Sequence, residues 1–125
     1  MKSQKTPPGF HHRLTLKASN RANTRLAWAS DGSFLASAAY DQSVRIWDTA
    51  SGEQIKQIKS YSGSVFTVAV FPENDQIISA SKNALKIWDL RGQSLSRTLR
   101  GHKDYVYSVA LTPNGRYAFS GAYDQ

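Results

Sequence analysis

Two sets of polar residues in this 125-residue sequence have the composition of a hydrolase active site. Ser37 lies four residues before Asp41, and His102 precedes Ser120 and Asp124. In such sites the histidine removes the serine proton while the carboxylate orients the histidine. Here each serine falls inside a segment with the pattern of a strand, and no oxyanion hole is recognisable. We therefore favour a structural use of these residues over catalysis and predict that the chain is not an enzyme.

Residue types restrict other chemistry as well. His11 and His12 could suggest a metal site, but adjacent side chains of a strand point to opposite faces and no carboxylate lies nearby. Because the sequence has no cysteine, disulfides, thiolate metal sites and cysteine nucleophiles are excluded. We expect no metal and no cofactor.

The composition is that of a soluble globular protein, with 40% apolar and 20% charged residues. The longest apolar stretches, such as residues 65–71, fall far short of the roughly 20 residues that a membrane helix needs. The N-terminus is basic but lacks the apolar core of a secretory signal. We therefore expect a cytoplasmic protein that does not enter a membrane.

The formal net charge of +7 comes mainly from the first 30 residues, which hold six basic residues and no acidic one. A solvated, flexible arm over residues 1–9 is the favoured interpretation. Contact with nucleic acid, anionic lipid or an acidic protein surface is the alternative. The basic residues concerned are Lys2, Lys5, Arg13, Lys17, Arg21 and Arg25.

An internal repeat organises the chain after residue 18. The segments Ser43–Asp48 and Ala84–Asp89 both end in Ile-Trp-Asp and lie 41 residues apart. The string Ala39–Gln42 recurs as Ala122–Gln125, about two such periods later. Self-similarity at a fixed period indicates a repeat architecture.

Within one period the pattern predicts four short strands. β-branched and aromatic residues alternate with small or polar ones, and turn residues such as Asp31 and Gly32 punctuate them. No segment shows sustained helical periodicity, so the predicted class is all-β. In the second period the strands are expected near residues 65–70, 76–81, 84–89 and 95–99.

The Ile-Trp-Asp endings, the pair Gly101-His102 and the 41-residue period resemble the WD-repeat family. The resemblance covers residues 10–125 and implies β-propeller blades, each a four-stranded antiparallel sheet. Since a ring needs at least about four blades, we expect an incomplete ring, an open arc. It divides the chain into the basic arm (1–9), a fourth strand of a preceding or closing blade (10–18), and repeats at 19–59, 60–100 and 101–125, the last truncated.

A fragment of a longer protein, with the missing blades supplied by downstream sequence, is the favoured explanation of the incomplete ring. Assembly of several copies of the chain is the alternative. In either case unpaired strand edges and apolar blade faces would be exposed.

The resemblance also implies a buried hydrogen-bond chain that links a histidine, a serine or threonine, an aspartate and a tryptophan in each blade. The first repeat keeps Ser37, Asp41 and Trp47 but has Ser19 at the histidine position. Losing one member would leave buried polar groups without partners, at about 1–3 kcal/mol each.

The other two repeats depart from the pattern. In the second, Tyr61 and Lys82-Asn83 replace the histidine and the aspartate, so Trp88 is the one recognisable member and the blade is expected to rely on packing. The third keeps its first three members, His102, Ser120 and Asp124, and the sequence ends before a tryptophan.

By the same resemblance, a partner would bind where loops converge at one face of the disc. Most side chains expected there are aromatic, which suits a protein interface. The competing interpretation is that these rings only pack against neighbouring blades. The candidate residues are Thr24, Tyr40, Phe66, Lys82, Tyr105, Tyr107 and Tyr123.

A non-catalytic scaffold that presents this loop face to a peptide or protein is therefore the predicted function. A nucleic-acid-binding module that uses the basic arm is the alternative. No feature of the sequence identifies the partner or the pathway.

Overall fold

The computed structural model describes residues 6–18, 21–60 and 63–125, which form three antiparallel sheets. The first sheet has the order β1-β2-β3-β4, the second β5-β6-β7-β8, and the third pairs β9 with β10. No helix occurs among the described residues, and the sheets do not close into a ring, so the predicted all-β class is confirmed. The strands are β1 (Asn23–Trp28), β2 (Phe34–Ala39), β3 (Ser43–Asp48), β4 (Gln54–Lys59), β5 (Thr67–Val70), β6 (Gln76–Ser81), β7 (Ala84–Asp89), β8 (Ser94–Arg100), β9 (Val106–Leu111) and β10 (Ala118–Ala122).

Tight turns join the strands within each sheet. Between β1 and β2 the Gly32 N–H donates to the Ala29 carbonyl at 3.0 Å, and Gly32 adopts a positive φ of 73°. The matching turn between β9 and β10 places Gly115 at φ 69°. Positive φ is easily reached by glycine, so the residue type fixes where each hairpin reverses.

The sheets pack face to face in sequence order. The face of the first sheet that is turned toward the second, including Ala36 and Ile46, packs against Val68, Ile77 and Trp88. The opposite face of the second sheet packs against the third sheet. There Ile78, Ala80 and Leu85 of the second sheet are buried with Val106 and Val109 of the third. Burial of these apolar faces is the main force holding successive sheets together.

Two local expectations differ from the structure. Residues 10–18 belong to no strand. A strand needs a hydrogen-bonding partner, and the three sheets of the described residues do not include the adjoining blade to which these residues were assigned. Strand β5 begins at Thr67, two residues later than predicted, because the Val65 N–H instead donates to the Ala39 carbonyl of the first sheet.

Residues 10–18 nevertheless lie against the first sheet. Leu14 and Leu16 face Gly52, and both help to line a cavity next to Trp28 and Leu35. This segment therefore covers part of the first sheet's outer face.

Candidate functional site

Five aromatic side chains meet where loops of all three sheets converge. Phe66 is central: its ring centroid lies 4.8 Å from that of Tyr107 and 5.6 Å from that of Tyr105. Tyr40 contacts Phe66 edge-on at 5.9 Å, and Tyr123 contacts Tyr107 at 4.5 Å. These spacings are those of favourable aromatic pairs. We call Tyr40, Phe66, Tyr105, Tyr107 and Tyr123 the aromatic cluster.

Main-chain hydrogen bonds fix the loops that carry the rings. The Phe66 N–H donates to the Ala80 carbonyl at 3.0 Å. The Tyr123 N–H donates to the Tyr105 carbonyl, also at 3.0 Å. The first of these bonds ties the Phe66 segment to β6, and the second ties the segment after β10 to the segment before β9, so the loops that carry these rings are fixed by main-chain contacts.

The rings of the aromatic cluster remain accessible although they touch one another. Tyr40, Tyr105 and Tyr107 are 42–47% exposed, Tyr123 is 66% exposed, and Phe66 is half-buried. Partial burial, followed by the neighbouring phenol groups, raises the pKa of Tyr107 above its usual value. The raised pKa favours the neutral hydroxyl, which can donate a hydrogen bond.

The other two residues predicted for this face lie beside the aromatic cluster. The Thr24 hydroxyl donates to the Val65 carbonyl at 2.7 Å, so it joins the first two sheets. Lys82 is exposed at the turn between β6 and β7 and lines a shallow pocket with Lys103 and Tyr105. The structure thus brings five of the seven candidates into one aromatic surface, with Lys82 at its border.

A serine in the second strand accepts a hydrogen bond from a tryptophan in the third strand of both complete sheets. Trp47 Nε1 donates to Ser37 Oγ at 2.9 Å in the first sheet. In the second, Trp88 Nε1 donates to Ser79 Oγ at the same distance. The expectation that Trp88 stands alone and that this blade relies on packing is therefore wrong.

Ser79 was missed because the shortened turn after it shifts the alignment by one residue. The strand pattern itself would have found it, since Ser37-Ala38 and Ser79-Ala80 both follow two apolar residues. Ser19 and Tyr61, which were assigned to the histidine positions, lie outside the described residues.

The turn carboxylate of the first sheet has its own partners. Asp41 accepts hydrogen bonds from the Ser43 hydroxyl at 2.5 Å and from Arg45 at 2.6 Å. The Arg45 side chain is only 7% exposed, so this ion pair is largely removed from water. Arg45 lies two residues before Trp47 and was not among the residues predicted for this network.

In the third sheet the three predicted residues form a chain. His102 Nδ1 lies 3.0 Å from the Asp124 carboxylate, and His102 Nε2 lies 2.8 Å from Ser120 Oγ. Since a carboxylate only accepts, Nδ1 donates to Asp124, while the Ser120 hydroxyl, which can both donate and accept, pairs with Nε2. The Lys103 N–H, followed by His102, keeps the pKa of Asp124 below its usual value.

These distances would also suit a hydrolase triad. The repeat favours a structural interpretation, because Ser37 and Ser79 occupy the same strand position as Ser120 and both accept an indole N–H. Among the described residues, no three histidine or acidic side chains are grouped so that they could hold a metal ion. No helix formed by those residues is long and apolar enough to cross a membrane.

A family model for the WD domain, G-beta repeat, matches residues 14–48, 52–89 and 93–125. The chain belongs to the WD40 repeat family. Members of the WD40 family are typically protein-interaction scaffolds and are generally non-enzymatic. The first two matches end at the last residues of β3 and β7, the third strands of the complete sheets, so the sequence repeat is offset from the four-stranded blade.

Known proteins similar to this WD40 chain are considerably longer. Autophagy-related protein 16 of Arabidopsis thaliana is 37% identical over 87 residues, which are 68% of this chain and 17% of that protein. Nuclear distribution protein PAC1 of Arthroderma otae is 33% identical over 99 residues, 71% of this chain and 22% of that protein. The chain therefore spans about a fifth of the length of these relatives.

The solved structure of U3-55K supports the same fold for this WD40 chain. It superimposes with a TM-score of 0.82 at 24% identity, over 87% of this chain and 36% of that protein. The blade architecture is therefore that of a WD40 propeller.

Proposed function

We propose that this chain is a non-catalytic scaffold that binds a peptide or protein loop on the aromatic cluster. The observation that carries the proposal is the continuity of the cluster: five rings from three blades touch in sequence, yet four of them are at least 42% exposed. Aromatic side chains bury large areas on binding and lose little conformational freedom, so they dominate interface energetics.

The chemistry of this surface fits an uncharged segment of a partner. The rings offer apolar faces, and the tyrosine hydroxyls can donate hydrogen bonds to peptide carbonyls. Because main-chain hydrogen bonds hold the loops, little ordering is needed when a partner binds.

The basic N-terminal residues support a second candidate, nucleic-acid binding. Of the residues concerned, Arg13 and Lys17 are exposed, while Lys2 and Lys5 lie outside the described part of the chain. Binding of this kind would weaken steeply with added salt, because it depends on the release of counterions from phosphates.

Peptide selection followed by binding measurements tests the scaffold proposal. A peptide selected from a displayed library on the 125-residue chain should lose roughly tenfold or more in affinity with Tyr107→Ala or Phe66→Ala. Tyr117→Ala is the matched control, because Tyr117 is 65% exposed but outside the aromatic cluster. Equal losses in Tyr107→Ala and Tyr117→Ala would contradict the proposal.

The same titration separates the two candidates. We expect a labelled single-stranded oligonucleotide to bind weakly, and peptide affinity to change little between low and high salt. Tight oligonucleotide binding that is lost on replacing Lys2, Lys5, Arg13 and Lys17 by alanine would favour the nucleic-acid function instead.

We also propose that residues 10–18 take the position of a fourth strand in an adjoining blade, supplied by downstream sequence or by another copy. The packing of Leu14 and Leu16 beside the first sheet supports this position. A cytoplasmic location is part of the proposal, and the lack of cysteine is compatible with it.

A further inference from the structure

The second sheet contains a basic cavity of about 390 Å³ at its β6–β7 turn. Lys82 and Arg100 are exposed at its mouth, and Lys86 is half-buried within it. No acidic side chain is among the described residues that line it. The described residues that line it are Ser81, Lys82, Asn83, Ala84, Lys86, Leu95, Thr98 and Arg100.

The strand register puts two of these cations on one face of the sheet. Arg100 pairs with Ala84 across the β7–β8 ladder, and Lys86 follows Ala84 by two residues. Side chains two residues apart in a strand, and those directly opposite, share a face. Lys86 and Arg100 therefore project from the same side.

The first sheet shows how an equivalent position is neutralised. Arg45 pairs with Ser37 in the ladder, as Lys86 pairs with Ser79, and Arg45 forms an ion pair with Asp41 at 2.6 Å. The corresponding turn of the second sheet is one residue shorter and carries Lys82 and Asn83 instead of an acid. Both sheets thus have a basic residue at the same ladder position, Arg45 or Lys86. The turn beside it carries the negative Asp41 in the first sheet and the positive Lys82 in the second.

The electrostatic environment of Lys86 reflects this exchange. Its ammonium group donates to the Ser60 carbonyl at 2.7 Å. Burial, together with the nearby Arg100 guanidinium, lowers the pKa of Lys86. The Ser60 carbonyl carries no net charge, so this hydrogen bond does not cancel the charge of the ammonium group, and an anion in the cavity would be attracted by Lys82, Lys86 and Arg100.

We infer that the basic cavity formed by Lys82, Lys86 and Arg100 binds an oxyanion group, a phosphate or a carboxylate, carried by the partner peptide. Lys82 also lines the neighbouring pocket, which contains Asp104 as well as Tyr105 of the aromatic cluster, so Lys82 is common to the two places that one extended segment would occupy. The peptide part of this inference rests on the proposed function. The anion site does not depend on it.

Titration of the isotope-labelled chain with inorganic phosphate, and separately with acetate, tests the site by nuclear magnetic resonance. We expect saturable shifts of the amide signals around residues 82–86 and 100, weakened roughly three- to tenfold by Arg100→Gln and by Lys82→Asn. Asparagine tolerates the positive φ of 51° at position 82, so the second variant should fold. The stronger of the two ions identifies the group that the cavity prefers.

Lys59→Gln is the matched control, because Lys59 pairs with Ser43 in the first sheet as Arg100 pairs with Ala84 in the second. It should leave phosphate and acetate binding unchanged. Shifts that do not saturate, or an equal loss in Lys59→Gln and Arg100→Gln, would overturn the inference and indicate general attraction to a basic surface.

A peptide arm distinguishes failure of this inference from failure of the proposed function. A peptide selected on the aromatic cluster and extended with phosphoserine or glutamate should bind more tightly than one extended with serine. Arg100→Gln should remove this gain while preserving the binding of the serine peptide. Tyr107→Ala should weaken all three peptides and leave inorganic phosphate binding intact. Equal affinity of the three peptides would overturn the link between the cavity and the partner.

Discussion

Individual polar residues in this WD40 chain act according to the partners that the strand register gives them. Ser37 and Ser79 hold the same strand position and accept the same indole N–H. The neighbouring turn differs: Asp41 neutralises Arg45, whereas Lys82 adds charge beside Lys86. The repeated fold therefore keeps the serine–tryptophan hydrogen bond in both complete sheets, whereas the turn residue beside Arg45 or Lys86 differs between them.

We predict that Asp41→Ala strongly destabilises the chain. The change leaves the buried Arg45 guanidinium without its carboxylate, and loss of one member of a buried pair costs about 3–5 kcal/mol. Because Asp41 is itself partly exposed, the lower end of that range is expected. Chemical denaturation measures the free energy of unfolding, and Lys17→Ala, an exposed substitution, serves as the control. Similar unfolding midpoints for the two variants would refute the prediction.

We also predict that the low pKa of Asp124 depends on the Lys103 N–H. Because the folded pKa lies below the unfolded value of about 3.9, this carboxylate stabilises the fold above that pH, and the contribution is lost as the pH falls through the folded pKa. Lys103→Pro removes the donor and should raise the pKa of Asp124 in a carbon-detected titration. Lys103→Ala keeps the N–H and should leave the pKa unchanged; an equal rise in both variants would assign the effect to the lysine side chain.

At the scale of elements, turns position one blade against the next. The β9–β10 turn lies so close to the segment after β5 that a Cβ atom on Gly115 would come within 2.9 Å of Pro72. The equivalent turn in the first sheet is open, and nothing lies within 4 Å of a Cβ placed on Gly32. Two glycines with nearly the same φ thus serve different purposes.

Gly115→Ala is therefore predicted to destabilise the chain more than Gly32→Ala. Both substitutions strain a positive φ, which costs about 1–3 kcal/mol, but only the first also collides with a neighbouring blade. Thermal unfolding measures the melting temperature of each variant. The difference between the two melting temperatures reports the destabilisation caused by the collision with Pro72. Indistinguishable melting temperatures would show that the contact with Pro72 has no energetic weight.

At the scale of the whole molecule, the sequence predicted the repeat and the four strands of the complete blades, because strand alternation and turn glycines are local signals. The residues of the aromatic cluster were predicted from the resemblance to the WD-repeat family. Ser79 was missed because the shorter turn after it shifts the alignment by one residue. The ion pair of Arg45 was not found because it depends on which residues the strand register places side by side. The basic cavity was missed for the same reason: Lys82, Lys86 and Arg100 are separated in sequence and meet only across a ladder.

The strand predicted for residues 10–18 illustrates a second limit. Its alternating pattern is suitable for a strand, but a pattern cannot supply the hydrogen-bonding neighbour that a strand requires. Leu14 and Leu16 pack beside the first sheet, but their segment does not form a strand. Whether these residues form a strand beside an adjoining blade stays a prediction.

Both end sheets expose large apolar side chains in positions that the inner interfaces bury. Trp28 is 63% exposed on the first sheet, where the corresponding Val70 of the second sheet is packed against its neighbour. Phe119 is 68% exposed on the third sheet, where the corresponding Ile78 is fully buried. Apolar faces of this kind attract other apolar surfaces.

We therefore predict that the 125-residue chain self-associates as its concentration rises, and that Phe119→Lys or Trp28→Lys shifts it toward the monomer. A charge at either position opposes burial of the face, because an unpaired lysine cannot be desolvated cheaply. Sedimentation velocity over a range of concentrations measures the effect. Ile55→Lys is the control, since Ile55 is 52% exposed on β4, away from both end faces. If all three variants sediment like the unsubstituted chain at every concentration, the end faces do not drive association.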